Sequence, residues 1–208
     1  MNRNKIFKKY SKGNKDASLK VISLGLGVQS TALYLMSSMG YKVPRADVAI
    51  FSDPQAEHPK TYEMLDWLLK WKEENNGIDI IVNRSRNLYK DIVEKIPKGE
   101  RVASIPAFSK NNNGLLMRQC TSEYKIQPVI KSCRELHNLK PRQRMLPTEM
   151  WLGISTDEIE RMKDSKLYNI SYFYPLIYHQ ISRNDCIKFI EKNNFPIPVK
   201  SSCVFCPY

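Results

Sequence analysis

The chain has 208 residues, 42% hydrophobic and 26% charged, with 8 Gly and 12 Pro. That composition excludes collagenous, low-complexity and wholly disordered chains and suits one domain, or one domain with a small appendage. No apolar run approaches the roughly 18 to 20 residues that cross a bilayer, and no apolar stretch opens the chain as in a secretory signal; no membrane contact and a cytoplasmic location are expected. Lys+Arg 33 against Asp+Glu 21 leaves +12, a balance that favours anionic partners such as nucleotides or nucleic acid without naming one. Five cysteines with no export signal argue against a disulfide framework and raise metal, cluster or catalytic roles.

Residues 1–18 carry Lys5, Lys8, Lys9, Lys12 and Lys15 with little apolar content. They are expected to form a flexible basic arm, either a solvated tail or a contact for a nucleic-acid backbone. From Leu19 the pattern alternates. LKVISL predicts a strand, a Gly-containing turn follows, and QSTALYLMSSM predicts a helix. ADVAIFS is a second strand, after which Pro59 suits the first turn of a helix through TYEMLDWLLKWKEEN to the break at Gly77, and IDIIVN is a third strand. Residues 97–114 are a Pro-, Ser- and Asn-containing stretch expected to be a long loop beside the site. Beyond it come a helix over about 124–137, a strand in EMWLGI, an irregular YFYPLIY segment, a helix over about 184–192 and a Pro-rich end. Strands alternating with helices predict an α/β fold with a mostly parallel sheet, ligands lying at the carboxyl ends of the strands. The expected division is residues 1–18 as arm, 19–195 as the nucleotide-binding α/β domain and 196–208 as a small Cys-x-x-Cys segment.

The first strand and helix are joined by Ser23-Leu24-Gly25-Leu26-Gly27-Val28-Gln29-Ser30-Thr31. Gly25 and Gly27 let backbone approach a ligand. The amides of the following helix start, with the hydroxyls of Ser23, Ser30 and Thr31, suit a phosphate or pyrophosphate. The plainer alternative is a glycine turn that merely reverses the chain. Two familiar phosphate motifs are missing: no GxxxxGK[ST] lysine is present, and Ser30 occupies the third glycine position of GxGxxG.

SLGLGVQSTAL resembles the PP-loop of the adenine-nucleotide alpha-hydrolase superfamily. FSDPQAEHPKTYEML resembles the segment after the second strand in phosphoadenosine phosphosulfate (PAPS) reductase-like proteins, and LGISTDEIERMKDS is similar to that family's later nucleotide-side motif. With the cysteine-rich end, the likeness runs from about Val21 to Tyr208. It implies a Rossmann-like, adenine nucleotide alpha hydrolase-like sheet that binds ATP, adenylylsulfate or PAPS, with attack on an α-phosphate or on the sulfur of a sulfonucleotide. Ser23, Gly25, Gly27, Ser30 and Thr31 match the phosphate-binding loop. Gln29, also placed at the nucleotide, stands where many PP-loop ATPases carry Asp in SGGxDS, which moves the comparison toward the reductase-like branch.

After the second strand, Asp53 is a candidate for Mg²⁺ or a ribose hydroxyl and Lys60 for an anionic oxygen, while Glu57 and His58 serve either the ligand or the cap of the next helix. In the later motif Asp157 is a helix cap or a catalytic group; Arg161 and Lys163 are candidate sulfate or phosphate contacts.

The cysteines separate by context. Cys133 follows Ile126, Val129 and Ile130 at helical spacing, and Cys186 precedes Phe189 and Ile190 by one turn, so both are expected in the core. Cys120 in MRQCTSEY and Cys203 and Cys206 in SSCVFCPY lie on non-periodic chain. These three are the candidate catalytic and metal-binding residues. They suit a [4Fe-4S] cluster with one open iron, or Zn²⁺ with a fourth ligand, and the alternative is free thiols or a redox pair. The resemblance implies iron–sulfur binding on a comparable set, although cluster-bearing assimilatory reductases use four cysteines. Proteins of the resembled family usually continue beyond the position of Tyr208, so whether the chain is truncated there is left open.

The expected function is a PAPS reductase-like oxidoreductase or an ATP-dependent sulfurtransferase. The first reduces a sulfonucleotide; the second activates a base of tRNA or DNA as an adenylate that sulfur then displaces. An unidentified electron or sulfur donor is the further partner, and a homodimer is left open. The contrasting expectation is a non-catalytic nucleic-acid-binding protein stapled by a structural zinc.

Overall fold

A computed structural model of the chain describes residues 13–103, 105–106, 114, 118–204 and 206. The lysines of the expected arm up to Lys12, and most of the second half of the expected 97–114 loop, lie outside the described residues.

Five strands form one all-parallel sheet: β1 (Leu19–Ser23), β2 (Val48–Ser52), β3 (Ile80–Asn83), β4 (Thr148–Leu152) and β5 (Ile170–Phe173), in the order β3-β2-β1-β4-β5. Helices α1 (Val28–Met39), α2 (Pro59–Asn75), α3 (Leu88–Lys95), α4 (Gln127–Leu136), α5 (Pro175–Tyr178) and α6 (Arg183–Lys192) connect and cover it. Every residue of β2 is buried, as expected where helices pack on both faces. Alternation splits the core in two. Ile22, Phe51 and Trp151 face α1, α2 and α6, whereas Val21, Ile50 and Met150 face Val129 and Cys133 of α4. Cys133 and Cys186 are each 0% exposed, so packing accounts for both.

The chain leaves β1 for β2 on one side and reaches β4 on the other. The strand order therefore reverses between β1 and β4, where Ser23 lies beside Leu152. An α/β sheet opens a ligand crevice at such a reversal, outside the carboxyl ends of the strands.

Three local features depart from expectation. Helix α3 forms where no helix was predicted, because eight residues give too short a record of the 3.6-residue period. YFYPLIY is not irregular: its first residues close β5, and Pro175 opens the single-turn helix α5. The expected 124–137 helix begins earlier, with Ser122–Ile126 wound as a π-helical segment ahead of α4. At the other end of the sheet, the last residues of the expected arm are tied down: the Asn14 amide donates to the buried Glu149 carboxylate and the Ser18 amide to the Pro147 carbonyl. Among the described residues, no helix is long and apolar enough to cross a membrane.

Candidate nucleotide and thiol site

The β1–α1 turn is held by its own atoms. Ser30 Oγ accepts from the Gly25 amide at 3.2 Å and donates to the Gly27 carbonyl at 3.2 Å, so one hydroxyl clasps both glycines. The left-handed residue is Leu26 (φ 58°), not either glycine, and its side chain is sunk in the core at 1% exposure. A non-glycine residue held there costs on the order of 1 kcal/mol, which packing of the leucine offsets. A Cβ on Gly25 would meet only Ser30 Oγ, at 3.6 Å, so the space over that turn is open.

Helix α1 starts without a side-chain cap. His58 caps α2, Asn87 caps α3 and Ser182 closes a capping box on α6, whereas Gly27 offers α1 nothing. The amides of Val28, Gln29 and Ser30 therefore lack intrahelical partners and point into the crevice end, an arrangement suited to an anion. Ser23 and Ser30 are partly exposed there. Thr31 is not: it is 0% exposed and its hydroxyl has no hydrogen-bond partner.

The end of β4 presses against this turn. A Cβ on Gly153 would lie 2.7 Å from Ser30 Cα and 2.8 Å from Ser30 N, so only glycine fits. Gly153 sits inside the LGIST stretch, and a glycine directly after a strand was the available signal. Gln29 is 8% exposed and tied at both ends of its amide: Arg183 donates to its Oε1 at 2.6 Å, and its Nε2 donates to Glu158 at 3.1 Å. Glu158 also pairs with Arg161 at 2.6 Å, and Asp157 accepts from the Arg183 amide, which holds its carboxyl below the usual range. Gln29, Arg161 and Asp157 thus belong to one network locking α1 to the β4 and α6 loops. Lys163 is exposed beside it, its amide donating to the Tyr174 hydroxyl.

On the β2 side, Asp53 is 2% exposed and both its oxygens are engaged. Tyr62 and the Gln55 amide donate to Oδ1 at 2.9 and 2.7 Å, and Arg84 pairs with Oδ2 at 2.9 Å. Burial, then the bond to Asp53, raises the Tyr62 hydroxyl to about 12, so it stays a donor. Lys60 is exposed, and its amide donates to His58 Nδ1 at 3.2 Å. Glu57 is more than a cap: its side chain is buried, pairing with Lys125 at 2.5 Å and lying 3.5 Å from Ser201 Oγ.

The chain end is seated on this stretch. Glu57 and Cys203 form an isolated antiparallel bridge, the Val204 amide donates to the Ala56 carbonyl and the His58 amide to the Ser202 carbonyl. A turn closed by Cys206 N–H to Cys203 O then brings the second cysteine back. Cys120 enters from the start of the π-helical segment. All three cysteines line one pocket together with Leu88, Tyr124 and Lys125, and Cys120 and Cys203 pack on the same small apolar cluster of Ala56, Leu88 and Tyr124. A Cβ on Gly27 would sit 3.8 Å from Ser201, so the segment carrying Cys203 also touches the β1–α1 turn.

Burial pushes the Cys203 thiol up to about 11, opposed by the Lys125 charge. At neutral pH it is a protonated thiol, and attack by its sulfur requires that proton to leave. Three thiols in one pocket are donors that suit a cluster or zinc. Among the described residues, however, no group of three His, Cys, Asp or Glu side chains is arranged to hold a metal ion. Lys125 and Gly153 are residues that the sequence patterns did not single out.

No protein-family model matches the chain, and no curated protein does. Among solved structures, the chain is similar to the crystal structure of phosphoadenylyl-sulfate (PAPS) reductase from Candida auris in its phosphate complex. The TM-score is 0.54 and the identity 13%, over 95% of this chain and 82% of that one. At that identity the likeness is one of fold: the parallel α/β sheet is PAPS reductase-like.

Proposed function

We propose that the chain is an adenine-nucleotide enzyme of sulfur chemistry, PAPS reductase-like in activity as well as in fold. The observation that carries this is the meeting of Cys120, Cys203 and Cys206 in one pocket, where the segment bearing Cys203 also touches the uncapped β1–α1 turn. A nucleotide whose phosphates sit on the α1 amides would place its reacting end toward the thiols. Gly25, Gly27 and Ser30 shape that seat, with Ser23 at its floor. Thr31, Gln29 and Asp53 act from behind, through packing and the Arg183 and Arg84 contacts. Lys60 after β2 and Arg161 after β4 are exposed cations offered to the nucleotide, Arg161 from its pair with Glu158.

Two reactions fit. With a sulfonucleotide, a thiolate attacks sulfur and the nucleotide leaves as its phosphate. A second thiol attacks the resulting S-sulfonate, releasing sulfite and leaving a disulfide that an external dithiol reduces. With ATP, an acceptor oxygen of a nucleic-acid base attacks the α-phosphate and pyrophosphate leaves. A donor persulfide then displaces AMP, and a second thiol breaks the remaining S–S bond, closing a disulfide. The net charge of +12 favours the second. A [4Fe-4S] cluster or zinc on the three cysteines would require those side chains to draw together from their present positions.

The test pairs anaerobic purification, with iron, zinc and sulfide analysis, against binding of ATP and of a sulfonucleotide to the unaltered chain and to Ser30→Ala. Removing the Ser30 hydroxyl releases both glycines and is expected to weaken nucleotide binding about tenfold, one hydrogen bond's worth or slightly more, leaving metal content unchanged. Unchanged affinity removes the assignment of the turn. Stoichiometric zinc with no nucleotide affinity supports instead a non-catalytic, zinc-stapled nucleic-acid-binding protein.

A further inference from the structure

Around the mouth of the thiol pocket four arginines gather among the described residues, with Glu100 an exposed acid beside Arg101. Arg84, Arg86 and Arg101 have side chains 58%, 44% and 75% exposed, and Arg118 is exposed while lining the pocket itself. The acidic partners of the first three are sunk: Asp53 is 2% exposed, and one Glu123 carboxylate, 16% exposed, takes Arg101 at 2.7 Å and Arg86 at 3.8 Å. Two guanidiniums sharing one recessed carboxylate keep donor edges to spare. The rim also carries an aromatic ring. Tyr89 is 59% exposed and directly follows Leu88, which lines the pocket, on the helix that Asn87 caps just after Arg86.

We infer that this rim seats a nucleic-acid strand, its phosphodiesters on Arg86, Arg101 and Arg118, a base on Tyr89, and a neighbouring base turned toward the cysteines. Guanidiniums on three separate stretches of chain exceed what one small anion can use but match a repeating phosphate backbone, and an exposed tyrosine among them adds the stacking surface that single strands take. The inference rests on the ATP-dependent reading above and names its acceptor and where that acceptor enters. It also gives the recessed pocket a reason: a base must leave its stack to reach the thiols.

The experiment measures binding of bulk tRNA, and of a single-stranded DNA of similar length, by the full chain across a salt series. The variants are Arg86→Gln/Arg101→Gln and Tyr89→Ala, with Lys188→Gln/Lys192→Gln on α6 as an equal loss of charge elsewhere. The rim pair is expected to weaken binding about tenfold near 0.1 M salt and to reduce the slope of log affinity against log salt by about 1.4, at roughly 0.7 per phosphate contact on a single strand. Tyr89→Ala is expected to lower affinity at least fivefold with the slope unchanged. The α6 pair should change little, and ATP binding by every variant should stay as in the unaltered chain, which also reports that each is folded. Equal losses in the rim and α6 pairs, or no binding of either nucleic acid, overturn the inference. Failure of the enzyme reading shows separately, as absent ATP and sulfonucleotide binding in the unaltered chain.

Discussion

The β1–α1 turn and the thiol pocket lie against each other yet are built in opposite ways. The turn is local: nine consecutive residues, clasped by Ser30 and fastened into the core by Leu26. The pocket is assembled from remote chain, with Cys120 arriving at the head of a helix and Cys203 on a segment held by the two backbone hydrogen bonds of its bridge to Glu57 and by the Glu57 carboxylate. The turn in its proposed role as an anion seat gains from rigidity, because donors aimed in advance need no reorganisation. In the proposed chemistry the thiols must deprotonate and change partners, which a segment able to adjust would favour.

That contrast breaks most visibly at Gly153. Gly153→Ala drives a methyl into the Ser30 backbone and is expected to cost about 2–3 kcal/mol of stability and to abolish nucleotide binding, as read by denaturant unfolding and ligand titration. Gly25→Ala, which meets only a hydroxyl at 3.6 Å, should keep the fold. If both behave alike, the turn is not rigid in the sense described. Glu57→Ala tests the other half. It strands Lys125 and loosens the chain end at a cost of roughly 2 kcal/mol, below the cost at a fully buried pair because Lys125 is 37% exposed. Thiol labelling of Cys203 should then accelerate, while nucleotide affinity changes less than about twofold, the scatter between weakly coupled sites. A matching loss of nucleotide affinity would show that the two halves fold as one.

The smallest effect is a pH dependence. With its thiol raised by burial from 9.0 to about 11, Cys203 should label with iodoacetamide at a rate that keeps climbing beyond pH 9 and levels near 11. Lys125→Met, which removes the charge that opposes the rise, should slow labelling at any given pH. The folded state holds this proton more tightly than the unfolded chain, so docking of the chain end contributes stability that is complete below pH 9 and lost as pH climbs through about 11. A labelling profile with its midpoint below 9 would contradict the buried setting.

Much of the architecture was legible in short stretches. Alternating apolar runs marked β1 to β4, and the position of Pro59 marked the start of α2. Cys133 and Cys186 were placed in the core by their helical spacing, and both are fully buried. Helix α3 was missed, since Tyr89, Val93 and Ile96 are all exposed and its pattern does not resemble a core-facing stripe. Within the site, Ser30 and the glycines stood out because turn chemistry is local. Asp53 looked available for a ligand because its partner Arg84 belongs to the next strand's loop, and nothing near Asp53 in sequence announces it.

The sequence by itself determined the alternation of strands and helices, the glycine turn after the first strand, and the separation of two cysteines at helical core spacing from three on non-periodic chain. Each of these follows from backbone preferences and side-chain periods that act over a few residues. Only the tertiary structure decided that the three cysteines share a pocket, that Gly153 must be glycine, that the carboxylates of Asp53 and Glu57 are occupied, and that arginines from separate stretches gather at the pocket's rim. Those depend on which distant segments the sheet brings side by side, and contacts between remote stretches leave no local period to read.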